Sequence, residues 1–227
     1  MTDPPPKILP LGESAIVVEF GTEISESFNS RSIALADYLE TNPFPGFLEA
    51  IPAYASTTIF FDLRVLRYTF SQFRSAFDAA KHLALAALEH ARQTPHDEQA
   101  VIEIPATFNS NDAPDLEFVS GLCGASTDDV VDIFTAAVYR VYMIGFLPGF
   151  AYMGEVDERI RVPRKQQPRL KVPKGSVGIA GRQTGVYPLE SPGGWQVIGR
   201  TDVEFFTPHR NSPSLLKAGD LVRFVAI

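Results

Sequence analysis

Pro168-Arg169-Leu170-Lys171-Val172-Pro173-Lys174-Gly175-Ser176-Val177-Gly178-Ile179-Ala180-Gly181-Arg182-Gln183-Thr184-Gly185-Val186-Tyr187-Pro188 decides the fold class of the C-terminal half. Short apolar pairs alternate here with Gly and Pro, and no helical period is present. The same texture starts after Tyr139 and runs to Asp220-Leu221-Val222-Arg223-Phe224-Val225. Many short strands with frequent turns predict a closed or nearly closed β-barrel. Just upstream, Val101-Ile102-Glu103-Ile104-Pro105 reads as a strand, and residues 114–122 and 128–137 read as short helices. Ser126 or Thr127 can cap the second helix, with Asp128 and Asp129 in its first turn.

The N-terminal half has other periods. Residues 8–20 read as strand with a turn at Gly12, and residues 25–39 as a helix capped by Ser25. Residues 46–52 and 57–63 read as two more strands. Phe73, Phe77, Ala80, Leu83, Ala84, Ala87 and Leu88 form one apolar stripe and predict a single helix over residues 70–92. The order strand, helix, strand, strand, helix predicts an α+β sandwich of ferredoxin-like type. The polar stretch 93–99 predicts a linker, which divides the chain into domains 1–96 and 97–227.

Composition bounds the function. The chain has 227 residues, 45% hydrophobic and 21% charged, which is enough apolar content for a core. A formal net charge of −7 argues against non-specific nucleic-acid binding. No segment approaches the roughly 18 apolar residues of a membrane span, so no membrane partner is expected. The first residues lack the pattern of a secretory signal. The single cysteine, Cys123, excludes an intramolecular disulfide framework and reads as a packed core residue; a cytoplasmic location fits. His82, His90, His96 and His209 show no metal-ligand spacing, so no protein-bound metal is expected. There is no Walker loop and no Gly-x-Ser-x-Gly elbow.

Against this acidic background, no Asp or Glu occurs between Glu158 and Glu190. Arg159, Arg161, Arg164, Lys165, Arg169, Lys171, Lys174 and Arg182 all lie in that window. Subtracting these eight charges from the net −7 leaves −15 for the rest of the chain. The window predicts either an anion-holding site or a docking face for an acidic partner. Arg suits bidentate anion recognition, and Lys serves as a mobile point charge. Gly145-Phe146-Leu147-Pro148-Gly149-Phe150-Ala151-Tyr152 reads either as a loop whose backbone faces a ligand or as a tight barrel corner. Gln183, Thr184 and Tyr187 could orient an amide-like substrate. Ser191-Pro192-Gly193-Gly194-Trp195 places the only tryptophan beside a Gly-Gly turn, where it could stack on a planar ligand or cap the core.

Taken together, the Gly145–Tyr152 loop, Pro163-Arg164, the stretch from Pro168 to Val177, Gln183–Pro188 and Ser191–Trp195 resemble the first subunit of the allophanate-hydrolase/Kip family. Leu11–Ala15, Phe20-Gly21 and Ile51–Ser56 extend the resemblance over nearly the whole chain. Members include PxpB, a component of the bacterial ATP-dependent 5-oxoprolinase, and the sporulation kinase inhibitor KipI. The resemblance implies an α+β N-terminal domain followed by a cyclophilin-like β-barrel. It implies an ATP-hydrolysing 5-oxoprolinase that converts 5-oxoproline to glutamate and is active only as a complex. The resemblance likewise implies ATP as co-substrate, with Mg2+. The implied partners are a second subunit of PxpC/KipA type and a third of LamB/YcsF type. The alternatives are a regulator that binds a histidine kinase and a carboxyltransferase-type component of urea metabolism. On this reading Arg164, Arg169 and Lys174 hold phosphate, while Gln183, Thr184 and Tyr187 orient the amide. Trp195 forms an apolar wall, and Pro148, Gly149, Gly193 and Gly194 shape the ligand-facing turns. One departure is Phe134, ahead of Thr135, where relatives often carry a histidine.

Overall fold

The computed structural model describes residues 5–91 and 100–227; the linker reading at 93–99 and His96 lie outside the described residues. The chain divides into two compact units, residues 1–97 and 98–227.

In the first unit, residues 8–20 form two antiparallel strands rather than one. These are β1 (Lys7–Pro10) and β2 (Ala15–Glu19), turning at Gly12, whose φ is +64°. Then follow α1 (Glu26–Thr41), β3 (Phe47–Pro52), β4 (Ser56–Phe61), α2 (Leu63–Thr69) and α3 (Ala76–His90). The sheet order is β1-β2-β4-β3, antiparallel throughout. Ile16, Val18, Ile59 and Phe61 from the strands pack against Leu35, Leu39, Ala80 and Ala84 from the helices. The helix expected over 70–92 is present as α3 but starts only at Ala76, and a short helix not expected from the sequence, α2, precedes it. Asp62 caps α2 by accepting from the N–H groups of Arg64 (2.8 Å) and Val65 (2.9 Å). Ser75 caps α3 by accepting from Asp78 N–H at 3.1 Å. Phe73 lies in the intervening turn yet still packs on the core, so its four-residue spacing to Phe77 mimics a helical stripe. The described order is ββαββαα. A ferredoxin-like unit runs βαββαβ, whereas here the edge beside β2 is held by the preceding strand. The coarse α+β architecture stands, with a different strand inventory.

The second unit contains β5 (Val101–Ala106), α4 (Leu116–Cys123), α5 (Thr127–Ala136), β6 (Tyr139–Ile144), β7 (Ala151–Gly154), β8 (Arg169–Val172), β9 (Ser176–Ala180), β10 (Gln183–Val186), β11 (Ser191–Gly193), β12 (Gln196–Arg200) and β13 (Leu221–Ala226). Seven strands form one sheet in the order β12-β9-β10-β7-β6-β13-β5. Its two edges meet just beyond β5. Thr107 N–H donates to Arg200 C=O at 2.8 Å, and Arg200 N–H returns the bond at 2.9 Å. The sheet is therefore a nearly closed barrel, with β8 and β11 forming a separate two-stranded ribbon. Ser126 caps α5 in a reciprocal box with Asp129. Phe134 on α5 is fully buried in the barrel core, its ring 5.0 Å from Phe224 and 5.1 Å from Tyr139. Cys123 packs part-buried on the same core, and burial raises its thiol pKa. Among the described residues, no helix is long and apolar enough to cross a membrane.

Candidate functional site

Phe150, Val172, Ala180, Tyr187, Trp195 and Val197 form an apolar cluster of their own, apart from the main barrel core. Phe150 is its hub. Its ring lies edge-on to Tyr152 at 4.8 Å, and edge-on to Phe146, Tyr187 and Trp195 at 5.5 Å each. Such edge-to-face contacts add specific geometry to plain area burial. The rings wall a cavity of about 300 Å³, completed by Arg164, Lys165, Pro168, Pro192, Gly193 and Gly194. A cleft of about 540 Å³ opens beside the barrel seam, but its cation, Arg200, faces Asp112 and Asp202. The aromatic cavity is the better ligand candidate because its groups converge on one space.

The lining is held by unusual backbone. Phe146 adopts φ +71°, a left-handed conformation that bulky residues avoid. The loop around it is closed by Gly145 N–H to Phe150 C=O at 3.1 Å and Phe150 N–H to Leu147 C=O at 3.0 Å. Strain of roughly 1–3 kcal/mol at such a position tends to mark ligand clamps. Gly193 faces Tyr187 so closely that an added Cβ would overlap the phenolic oxygen and lie 2.8 Å from the ring. Gly193→Ala is therefore expected to push Tyr187 into the cavity. We expect a loss of about 1–3 kcal/mol in urea denaturation, as for overpacking, together with a shift in Trp195 emission. An unchanged spectrum would show that the ring has room elsewhere.

Electrostatics sort the basic window. Asp115, immediately before α4, is buried at 3% exposure. Arg169 donates to both of its oxygens at 2.7 Å, Lys165 donates at 2.8 Å, and the Val197 N–H donates at 2.7 Å. Burial pushes the Asp115 carboxyl up, but these four bonds outweigh it and hold it below its ordinary value. Elsewhere Arg159 pairs with Asp157, Arg161 and Arg182 with Glu155, Lys171 with Glu190 and Lys174 with Glu204. All of these acids lie outside the acid-free stretch. Among the described residues, Arg164 is the one cation of the window with no carboxylate within 4.0 Å. Its guanidinium carbon sits 5.8 Å from the Trp195 ring centroid. Burial pushes the Tyr187 phenol up, and its hydrogen bond with the Trp195 backbone and the Arg164 charge offset only part of that. Tyr187 thus stays protonated at neutral pH.

The structure brings Arg164, Tyr187, Gly193, Gly194 and Trp195 around one cavity. The other expected site residues lie elsewhere. Arg169 is turned to Asp115, and Lys174 is paired with Glu204, so these two do not join Arg164 as an open phosphate cradle. Thr184 is fully buried, donating to Gly178 C=O at 3.0 Å. Gln183 pairs within the sheet opposite Gly154 and Ala180. Pro148 is exposed, and Gly149 is packed on Phe205, so neither lines the cavity. Phe134 lies in the barrel core and not among the cavity walls, so the departure at that position leaves the cavity untouched. Sequence reading missed Asp115 and gave Lys165 no ligand role. The carboxylate lies 50 residues before Lys165 and 54 before Arg169, and nothing local marks it.

Residues 6–216 match the family described as the carboxyltransferase domain, subdomain C and D. The chain belongs to this family. As a carboxyltransferase-domain chain it is 44% identical to the B subunit of 5-oxoprolinase from Bacillus subtilis, over 96% of its own length and 91% of that protein. It is 39% identical to the B subunit of 5-oxoprolinase from Escherichia coli O157:H7, over 95% and 93% of the two chains. The crystal structure of TTHA0988 superposes with a TM-score of 0.81 at 38% identity, over 94% of this carboxyltransferase-domain chain. The match spans only 40% of the length of TTHA0988.

Proposed function

We propose that this chain is the B-type subunit of an ATP-dependent 5-oxoprolinase, acting with a second family subunit and a third of LamB/YcsF type. The reaction adds one water across the lactam C–N bond of 5-oxoproline to give glutamate, while ATP and a second water yield ADP and phosphate. An amide nitrogen leaves poorly, and phosphorylating the lactam oxygen makes the ring carbon a stronger electrophile. The observation that carries the proposal is the character of the cavity, alongside near-full-length similarity to proteins named as the B subunit of 5-oxoprolinase. It has aromatic walls and one unspent guanidinium, and its lining includes no carboxylate, imidazole or thiol. With Tyr187 protonated, it can bind and orient but offers no general base. The base, and a surface able to answer the several charges of a nucleotide with its Mg2+, are then assigned to the partner subunits.

The test is reconstitution. Phosphate release from ATP is expected to require 5-oxoproline and all three proteins together. Release that proceeds equally without this chain would overturn the assignment.

A further inference from the structure

We propose that the cavity walled by Phe146, Phe150, Tyr152, Tyr187 and Trp195 is a recognition site for a small cyclic monocarboxylate, with Arg164 the residue that selects the carboxylate. The class of ligand rests on the geometry; its identification as 5-oxoproline rests on the function proposed above. At about 300 Å³ the cavity lies at the lower end of the roughly 300–1,000 Å³ typical of small-molecule sites. That suits a compact ring rather than a nucleotide.

The polar groups are few and differ in availability. Lys165 reaches the cavity wall, but its ammonium is directed to Asp115 at 2.8 Å. Arg169 lies behind, with both terminal nitrogens on the same carboxylate. That cluster keeps one positive charge in excess, which favours anions nearby without offering free donors. Arg164 is different. Its N–H groups face no carboxylate among the described residues, and its position over Trp195 restrains the guanidinium plane. A planar fork of free donors at the mouth of an aromatic slot matches a carboxylate whose apolar ring lies on the walls. The Tyr187 hydroxyl, on the wall beside Gly193, is placed to hydrogen-bond a ring amide.

Trp195 is the only tryptophan of the chain and stands in the cavity, so its emission reports this site alone. The experiment titrates the full chain with 5-oxoproline, with its neutral carboxamide, with cyclopentanecarboxylate and with Mg-ATP. The same series is repeated on chain labelled with 5-fluorotryptophan in complex with the second subunit, following the single fluorine resonance. Saturable binding of 5-oxoproline is expected in both settings. The carboxamide, and the Arg164→Gln variant, are each expected to bind roughly 10- to 100-fold more weakly, the range a charge-assisted hydrogen bond supplies. Lys171→Ala, at a surface pair with Glu190, should change nothing. Equal binding of acid and carboxamide, undiminished binding by Arg164→Gln, or competition by Mg-ATP would overturn the proposal. So would the lack of any saturable response in both settings. Binding of cyclopentanecarboxylate that depends on Arg164, without binding of 5-oxoproline, would uphold the site and overturn the 5-oxoprolinase reading.

Discussion

Asp115→Ala is expected to lower the stability of the barrel unit by about 3 kcal/mol, the lower end of the range for stripping one partner from a buried ion cluster. The low end applies because Lys165 and Arg169 each keep 27% side-chain exposure, so water reaches both cations. Three losses combine. Two cations lose their counter-charge, the buried Val197 N–H loses its acceptor, and the support behind Trp195 loosens. Guanidinium denaturation should show a lower midpoint at unchanged slope. Replacing the three side chains together (Asp115→Leu, Lys165→Met and Arg169→Met) should recover most of the loss, because the penalty comes from abandoned charge rather than from missing volume. A loss below about 1 kcal/mol in the single variant would mean that solvent already satisfies the cations.

The same cluster gives a pH dependence of definite sign. The folded Asp115 carboxyl titrates below its unfolded value of about 3.9, so the unfolded chain takes up the proton first as pH falls. Its contribution is complete well above pH 4 and fades as pH drops through about 4 and below. The difference in stability between the natural chain and the Asp115→Ala variant should shrink over that interval.

Phe134→Ala is expected to remove about 3–5 kcal/mol, the usual range for emptying a buried phenylalanine site. The ring touches Phe108, Tyr139 and Phe224, so α5, β6, β13 and the segment after β5 lose a shared contact. Tyr139 donates its hydroxyl to the Phe134 C=O at 2.8 Å, which fixes that backbone and limits collapse into the void. Molecules that remain folded should bind cavity ligands as before, since Phe134 belongs to the barrel core and not to the cavity walls. A variant with full stability and altered Trp195 emission would contradict both statements.

These residues also show what could be read without coordinates. The barrel was legible because Gly and Pro interrupt the chain at every few residues after Tyr139, and interrupted apolar pairs admit few other folds. The helix over 70–92 was overdrawn because Phe73 faces the core from a turn, and spacing cannot distinguish that from a helical face. The cap at Ser75 was the local signal that could have corrected its start, and Asp62 marked the short helix α2 before it. The cavity was half legible. Trp195, Tyr187 and Arg164 stood in motifs dense enough to attract attention. Their neighbours Arg169 and Lys174 could not be set aside, because the acids that answer them, Asp115 and Glu204, come from distant sequence. Charge counted along a chain overstates charge presented in space whenever the counterions arrive from elsewhere.

The pairing of β5 with β13 sets the order in which this barrel can be made. The two strands run parallel and align Val101 with Leu221, while β13 also pairs β6. The first strand of the unit thus waits for residues about 120 positions later before it acquires its partner. Strand pairing across so long a separation is slow, and until it forms β5 and β6 each expose an open edge. On the ribosome, the elements of residues 5–91 can assemble from contiguous segments as they emerge. The barrel must stay open until Leu221–Ala226 is released, which makes β13 the latch of this unit.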